Sequence, residues 1–155
     1  MMIESGDVEG GIRELERLVK LVPLNAGVHR KLGQALYQSG QVRAAETAFL
    51  KAYGLDPSSD EVHNDLGVLY WEQGNLQKAI EHMRSAMQLN PHNPDVVVNY
   101  ALIQEAKGET AQALDLFDQY LSTHKDEGMQ KELQKMQQRV EGQRDRTVAQ
   151  TLNLG

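Results

Sequence analysis

Glycine and proline recur in this chain at a fixed interval of 34 residues, and this period limits the folds that the chain can adopt. The glycines of the series are Gly6, Gly40, Gly74 and Gly108, and the prolines are Pro23, Pro57 and Pro91. The intervals between them hold one amphipathic run each, for example GNLQKAIEHMRSAMQLNP over residues 74–91. A period of this length indicates stacked supersecondary units rather than one closed core.

Other positions repeat in the same register. Small residues follow three of the glycines at Ala45, Ala79 and Ala113, and large apolar residues follow these at Phe49, Met83 and Phe117. A Leu-Gly pair precedes two of the glycines at Leu32-Gly33 and Leu66-Gly67, with Leu36 and Tyr70 three residues further on. This resembles the tetratricopeptide repeat (TPR), whose pattern is W-x2-L-G-x2-Y, then A-x3-F, then P. The resemblance covers residues 7–124 and implies an all-α fold: a right-handed α-solenoid of stacked helix-turn-helix hairpins, a TPR-like superhelix, with a C-terminal capping helix.

The matched residues have physical roles. Gly33 and Gly67 lack a Cβ, so the two helices of a hairpin can approach closely. The periodic glycines suit the left-handed backbone that ends a helix, and Pro57 and Pro91 cannot continue one. We therefore predict repeats over residues 26–59, 60–93 and 94–127, a lone second helix within 1–25, and a capping helix with a frayed tail over 128–155.

Both ends of the array depart from the pattern. Gly6 occupies the turn in the middle of a repeat, so the helix expected over residues 7–22 is a second helix without its first. We interpret this as a fragment of a longer chain, and a start that caps itself is the alternative. In the third repeat Tyr100-Ala101 replaces Leu-Gly and Lys125 stands in the proline slot, which predicts a degenerate but helical repeat.

A narrow apolar stripe follows the repeats on a helix otherwise rich in Gln, Lys and Arg. Its members are Met129, Leu133, Met136 and Val140. A terminal helix with a polar outer face closes the exposed end of a solenoid, so we predict capping. A coiled-coil seam for self-association is the alternative. Beyond Gly142 the chain has few apolar residues, and we expect it to fray.

Composition excludes several classes of function. The net charge of -6 disfavours a binder of phosphate backbones, so we expect no nucleic-acid partner. The absence of cysteine removes disulfides, thiolate zinc sites and cysteine nucleophiles. No apolar run reaches membrane-spanning length and the first residues lack the regions of a signal peptide. We therefore expect no membrane insertion and a cytoplasmic location.

The chain carries no recognisable catalytic motif. It has no phosphate-binding glycine loop, no G-x-S-x-G and no HExxH, so we predict no enzymatic activity, no cofactor and no metal site. His29 and His63 stand one period apart in a packing slot, without an evident third metal ligand, and we interpret them as core or groove-wall residues. We expect His82 to be solvated and His92 and His124 to lie on the surface.

The TPR resemblance implies a concave groove, lined mainly by the first helix of each repeat. Carried over by register, it predicts the groove residues Arg30, Lys31, Gln34, Tyr37, Asn64, Asp65, Val68, Trp71, Asn99 and Leu102. Trp71 is the only tryptophan, and such rings are enriched at binding hot spots. Burial in the core between repeats is the alternative for this ring.

Charge is distributed unevenly over the predicted groove. Arg30 and Lys31 predict a basic end, and the remainder is predicted to be acidic through Glu61, Asp65, Glu72, Asp95 and Glu105. Such a gradient would orient a bound peptide, and a solvated face without function is the alternative. The aspartates also argue against the carboxylate clamp of chaperone adaptors.

The sequence thus predicts a noncatalytic protein–protein interaction module, an adaptor or scaffold that binds a peptide or helix of a partner. Trp71 and Val68 would anchor an apolar side chain, with Asn64 and Asn99 bonded to the peptide backbone. Two alternatives remain open: a regulatory repeat segment of a larger enzyme such as a glycosyltransferase, and a self-assembling scaffold subunit.

Overall fold

The computed structural model describes residues 7–153, which form eight α-helices and no strand. The helices are α1 (Val8–Leu21), α2 (Ala26–Gln38), α3 (Val42–Leu55), α4 (Asp60–Glu72), α5 (Leu76–Leu89), α6 (Pro94–Lys107), α7 (Thr110–Leu121) and α8 (Glu127–Asn153). The prediction of an all-α helical-repeat fold is confirmed. Helix α1 lies where the lone second helix was expected, whereas Gly6 lies outside the described residues.

The chain forms two compact units, the first ending at Asn90 and the second beginning at Pro91. In the first unit each helix from α1 to α5 packs against the next one along the chain. In the second unit α6 and α7 form a hairpin, and α8 packs against α7 and, to a smaller extent, against α6. The three hairpins, α2–α3, α4–α5 and α6–α7, fall within the three repeats that the 34-residue period predicts.

Equivalent polar side chains start the first helix of each hairpin. The side-chain oxygens of Asn25 and Ser59 accept hydrogen bonds from the amides of Val28 and Val62, at 3.1 and 3.2 Å. Asn93, one period after Ser59, accepts from the amide two residues further on at 3.0 Å. Each cap satisfies an amide that has no partner within the helix, so the sequence period also fixes where these helices begin.

Left-handed glycines make the turns within the hairpins. The φ angles of Gly40, Gly74 and Gly108 are 82°, 81° and 90°. No other residue within 7–153 has a φ angle in this region. A side chain at these positions would be strained, because L-residues other than glycine rarely adopt this backbone. The turn prediction is confirmed for these three glycines.

The two helices of each of the first two hairpins approach closely at a glycine, Gly33 in the first and Gly67 in the second. A Cβ placed on Gly33 would lie 2.6 Å from the ring of Phe49, and one on Gly67 would lie 2.7 Å from Cε of Met83. The third hairpin differs, because Ala101 occupies the equivalent slot and is fully buried there. The glycine of each Leu-Gly pair therefore leaves space for one large side chain of the facing helix, Phe49 beside Gly33 and Met83 beside Gly67.

Replacement of Gly33 by alanine is expected to lower the free energy of unfolding by about 1–2 kcal/mol, because the added methyl displaces the Phe49 ring. Gly54→Ala in α3 is the matched control. A Cβ there meets no atom within 4 Å, so the variant should gain about 0.5–1 kcal/mol of stability from its higher helix propensity. Urea denaturation measures both changes. Equal effects of the two substitutions would contradict the assigned contact.

Helix α8 buries one side of its first half. Met129 and Met136 of the predicted stripe are buried, and Leu133 and Val140 are half-buried. The helix then continues past Gly142 to Asn153 with exposed side chains, where the sequence had led us to expect fraying. Gln, Arg and Ala have high helix propensity, so this segment can remain helical without burial. Within residues 7–153, no helix combines the length and hydrophobicity needed to cross a lipid bilayer.

Candidate functional site

The predicted groove residues lie on the first helices of the hairpins. Helix α2 carries Arg30, Lys31, Gln34 and Tyr37, helix α4 carries Asn64, Asp65, Val68 and Trp71, and helix α6 carries Asn99 and Leu102. The residues on α2 and α4 belong to the first unit, and we call them, together with Glu61 and Glu72, the α2–α4 face. Asn99 and Leu102 belong to the second unit and are half-buried there.

Arg30 joins α2 to α4 at one level of this face. Its Nε lies 2.7 Å from Oδ2 of Asp65, and its Nη1 lies 2.6 Å from Oε2 of Glu61. The amide nitrogen of Gln34 also donates to Oδ2 of Asp65, at 3.4 Å. Only 25% of the Arg30 side chain and 14% of the Asp65 side chain are exposed. These four side chains therefore form a fixed polar cluster rather than separate solvated charges.

The carboxyl group of Asp65 is an internal partner of Arg30. Burial raises the pKa of Asp65 above its usual value, and the charge and hydrogen bond of Arg30 oppose this shift without cancelling it. Arg30 therefore does not supply an unpaired positive charge at the predicted basic end of the groove, because Asp65 and Glu61 neutralise it. Lys31, in contrast, is exposed.

Tyr37 of α2 lies near Glu72 of α4, towards the C-terminal ends of the two helices. Burial, and then the nearby carboxylate of Glu72, raise the pKa of Tyr37 to about 12. Tyr37 is seven residues after Arg30, which is about 10 Å along a helix. The two helices are joined by the hydrogen bonds of Arg30 and Gln34 with Glu61 and Asp65.

Val68 and Trp71 lie on α4 between the positions of Asp65 and Glu72. Both side chains are half-buried. The Trp71 ring is thus neither a fully buried core residue nor fully exposed, and part of it remains accessible. Its role in binding stays a prediction.

An apolar pocket that the repeat pattern does not predict lies between α1 and α2. It encloses about 410 Å³ and is lined by Leu15, Leu18, Val28, Lys31, Gln34, Ala35 and Gln38. Lys31 and Gln34 also belong to the α2–α4 face, so the pocket adjoins that face. The spacing of the apolar residues Ile12, Leu15 and Leu18 along α1 would have indicated that this helix presents an apolar face, which forms one wall of the pocket.

In the second unit, one predicted groove acid has another role. Glu105 of α6 accepts two hydrogen bonds from Arg139 of α8, from Nε at 3.0 Å and from Nη2 at 2.8 Å. Such a paired geometry fixes the orientation of both side chains. Glu105 therefore fastens α8 to α6 and does not contribute an open acidic position.

His29 and His63 have equivalent packing roles, as predicted. Both residues are 6% exposed. Nε2 of His29 lies 2.8 Å from the carbonyl oxygen of Pro23, and Nε2 of His63 lies 3.1 Å from that of Pro57. Each ring therefore satisfies a carbonyl in the loop that precedes its own helix.

The prediction that His82 is solvated is wrong. Its ring is half-buried, stacks on Tyr70 at 5.5 Å between centroids and meets the edge of Tyr53 at 6.2 Å. Its Nδ1 lies 3.0 Å from Nδ1 of His63. Rings from α3 and α4 thus cover this residue of α5. Burial, and then the neighbouring His63, lower the pKa of His82 from 6.5 to about 4.

We expect His82 to make the protein less stable in acid. Its pKa is lower in the folded state, so the unfolded chain binds the proton more readily. The contribution of the neutral His82 ring to the free energy of unfolding is complete above pH 6.5 and is lost as the pH falls towards about 4. Part of the ring faces solvent, so we expect an effect on the order of 1 kcal/mol. Urea denaturation at neutral and acid pH should show a smaller acid loss in His82→Ala. An unchanged loss would contradict this assignment.

The remaining histidines lie in the second unit. His92 is exposed, as predicted, and its ring centroid lies 5.1 Å from that of His124. His124 is half-buried because its ring stacks on Tyr120 at 4.2 Å. Among residues 7–153, no group of three or more His, Cys, Asp or Glu side chains is arranged to hold a metal ion.

Comparison with known proteins places the chain in a family. A family model described as tetratricopeptide repeat matches residues 3–60 and 30–94, and a second model of the same description matches residues 70–138. The chain belongs to the tetratricopeptide-repeat family. No curated protein sequence matches it.

Solved structures of other repeat proteins have a similar fold. A crystal structure of MamA is 27% identical with a TM-score of 0.67, over 76% of this chain and 64% of that one. A thermophilic TPR protein of Thermus thermophilus is 21% identical with a TM-score of 0.76, over 84% and 73% of the two chains. Pseudomonas aeruginosa PilF is 21% identical with a TM-score of 0.77, over 90% and 64%. At this identity the last two show the fold alone. The tetratricopeptide repeats and the similarity to MamA support a protein-interaction module.

Proposed function

We propose that this chain is a noncatalytic adaptor or scaffold module that binds a peptide or helix of a partner protein on the α2–α4 face. The observation that carries the proposal is the combination of half-buried Val68 and Trp71 with a fixed polar frame beside them. The frame consists of Arg30, Gln34, Glu61 and Asp65.

A fixed frame favours binding because less conformational entropy is lost when a partner docks. Side chains that already occupy one rotamer do not have to be ordered by the ligand, and each such side chain saves about 0.5–1.5 kcal/mol. Trp71 adds a large ring of the type that contributes most to interfaces. The face therefore combines an apolar anchor point with ordered neighbours.

The charges suggest the chemistry of the ligand. Glu72 is exposed on α4, whereas Lys31 is exposed on α2 beside the apolar pocket. A segment with apolar anchors, a basic residue opposite α4 and an acidic residue near Lys31 would complement this arrangement. Complementary charges of this kind set the orientation of the ligand more than its affinity.

The test is affinity capture from native lysate with variants of the α2–α4 face as bait. Trp71→Ala and Val68→Asp are expected to lose the captured partner at least tenfold. Leu89→Ala is the matched control, because this exposed leucine of α5 is outside the face. Asp65 is unsuitable for substitution here, since its removal leaves Arg30 without its most buried partner. Equal capture by all folded baits would refute the proposed site.

A second candidate function, a self-assembling scaffold subunit, is favoured by the segment that joins α1 to α2. Leu21 and Leu24 are 67% and 79% exposed, and Val22 between them is also exposed. Clustered exposed apolar residues commonly mark interaction surfaces. Sedimentation should then give a mass that rises with concentration, and Leu21→Ser with Leu24→Ser should abolish the rise. A constant monomer mass would exclude this candidate.

A further inference from the structure

The pocket between α1 and α2, which we call the α1–α2 pocket, lies where the first helix of a hairpin would pack. Leu15 of α1 is in register with Phe49 of α3, whose ring packs at Gly33 of the first helix in its own hairpin. Met83 of α5 has the same relation to Gly67. Leu15 instead lines the pocket, whose volume is about 410 Å³. Within residues 7–153 no helix precedes α1, so α1 and α2 form two walls against which a further helix can pack.

Apolar residues that are covered in the other repeats are partly open in the α1–α2 pocket. Ala52 and Ala86, which are in register with Leu18, are both 0% exposed, whereas Leu18 is half-buried and lines the pocket. Val62 is 2% exposed, whereas Val28, one period earlier, is half-buried and also lines the pocket. Incompletely covered apolar side chains that cluster in this way mark interaction surfaces.

Lys31 gives the α1–α2 pocket a charge preference. The residue in register with it on α4, Asp65, binds Arg30 of the preceding first helix at 2.7 Å. A helix that packed on α2 as α2 packs on α4 would bring its own residue of this register to Lys31. Lys31 is exposed and cationic, so an acidic residue on that helix would complement it.

The C-terminal half of α8 carries an exposed face with this pattern, which we call the α8 face. Asp145 precedes Val148 by three residues and Leu152 follows Val148 by four, so the three side chains lie on one side of the helix. All three are exposed, Val148 at 58% and Leu152 at 75%. Arg30 and Gly33, through which α2 contacts α4 and α3, have the same spacing of three. An acid at the first position therefore brings an apolar side chain to the second.

We propose that the α8 face of a second copy of the chain occupies the α1–α2 pocket. Asp145 then pairs with Lys31, and Val148 packs against Leu15. Leu15 is smaller than Phe49, so a valine can stand where α2 has a glycine. The volume of the pocket lies within the range of natural binding pockets, so it can take aliphatic side chains of this size.

The charges next to these contacts are also complementary. On α1, Glu14 and Glu16 flank the leucine that lines the pocket. Arg17 lies 4.0 Å from Glu14 with 74% of its side chain exposed, so this pair is weak. On α8, Arg144 and Arg146 flank the aspartate of the α8 face and are exposed. The basic flanks of one copy can therefore meet the acidic flanks of the other, which favours approach in this orientation.

Each copy carries one α1–α2 pocket and one α8 face, so the contact joins copies head to tail. An interface between two different surfaces leaves one of each open and adds further copies, unless the rotation closes a ring. The inference rests on the second candidate function, a self-assembling scaffold subunit, and assigns the surfaces that would assemble. Leu21, which is 67% exposed, follows Leu18 by three residues on the same side of α1 and so extends the pocket wall.

Sedimentation of the full chain over a range of concentrations tests the contact. The wild type should assemble, with a mass that rises with concentration. Lys31→Glu reverses the charge of the pocket, and Val148→Glu places a charge in the apolar part of the α8 face. Each variant alone should show an apparent dissociation constant raised at least tenfold. An equimolar mixture of the two should form a dimer and nothing larger, because the pair retains one intact pocket and one intact α8 face.

The matched controls are Lys51→Glu on α3 and Leu89→Glu on α5, which change exposed residues outside both surfaces and should assemble as the wild type does. Circular dichroism establishes that all variants remain helical. Assembly of Lys31→Glu by itself would overturn the proposed contact and leave the scaffold function standing, as for a symmetric contact between two α8 helices. A wild type that stays monomeric at every concentration would overturn both. Neither result bears on partner binding at the α2–α4 face, which the capture experiment measures.

Discussion

Replacing Phe49 by alanine is expected to lower the free energy of unfolding by about 3–5 kcal/mol, the range found when a buried aromatic side chain is truncated. Phe49 is 2% exposed on α3, and its ring occupies the space beside Gly33 where a Cβ would otherwise stand. Glycine has no side chain that can move into the resulting cavity, so only a shift of α2 against α3 would fill it. Urea denaturation followed by circular dichroism measures the loss.

A double variant tests whether this contact is the cause. Gly33→Ala should be costly in the wild type but nearly neutral in the Phe49→Ala background, because the ring that its methyl displaces is gone. Leu50→Ala is the control, since this neighbouring side chain is exposed and should change stability by about 0.5 kcal/mol or less. Additive costs of the Gly33 and Phe49 substitutions would show that another contact determines the effect.

The parts of the fold that depend on local backbone chemistry could be predicted from the sequence. Gly40, Gly74 and Gly108 mark the turns because few other residues tolerate a positive φ. The contact of Gly33 with Phe49 could also be anticipated, since both residues belong to one hairpin and repeat in register. The full length of α8 could not be predicted. Gly142 and the lack of apolar residues after it suggested that the helix ends there, whereas the helix propensity of the following residues carries it on to Asn153.

The side-chain partners across helices were harder to predict. Arg30 was predicted to form the basic end of a groove, although Glu61 and Asp65 follow it by 31 and 35 residues and are brought opposite it by the stacking of repeats. A search for opposite charges about one period apart would have found them. His82 was missed because Tyr53 and Tyr70 cover it from two other helices, and neither the register nor the composition encodes that contact.

For the α2–α4 face, the sequence predicted which helix carries each residue, but it did not predict the contacts that each side chain makes. It placed Lys31, Gln34 and Trp71 on first helices, where they are found. It could not tell that Gln34 is bonded to Asp65, or that α1 supplies a second wall to a pocket beside Lys31. Those features depend on rotamers and on the approach of α1, which the repeat pattern leaves undetermined.

Arg30→Met should reduce the free energy of unfolding by about 2–3 kcal/mol near neutral pH. Methionine keeps the aliphatic part of the side chain but leaves Asp65, which is mostly buried, without its cation. Loss of one partner from a fully buried pair costs about 3–5 kcal/mol, and the partial exposure of Arg30 reduces this figure. Arg139→Met is the control. Arg139 is 44% exposed, so its pair with Glu105 should contribute about 1 kcal/mol or less.

The cost of Arg30→Met should also depend on pH, with a sign that identifies Asp65. Burial already raises the pKa of Asp65 in the folded protein, and removal of Arg30 takes away the charge that opposes this shift. A carboxyl group whose pKa is higher folded than unfolded loses stability as the pH rises from its unfolded value through its folded value. The difference between variant and wild type should therefore be largest at neutral pH and shrink towards pH 4. A difference that is constant over this range would mean that Arg30 stabilises the face through packing, with Asp65 contributing no charge.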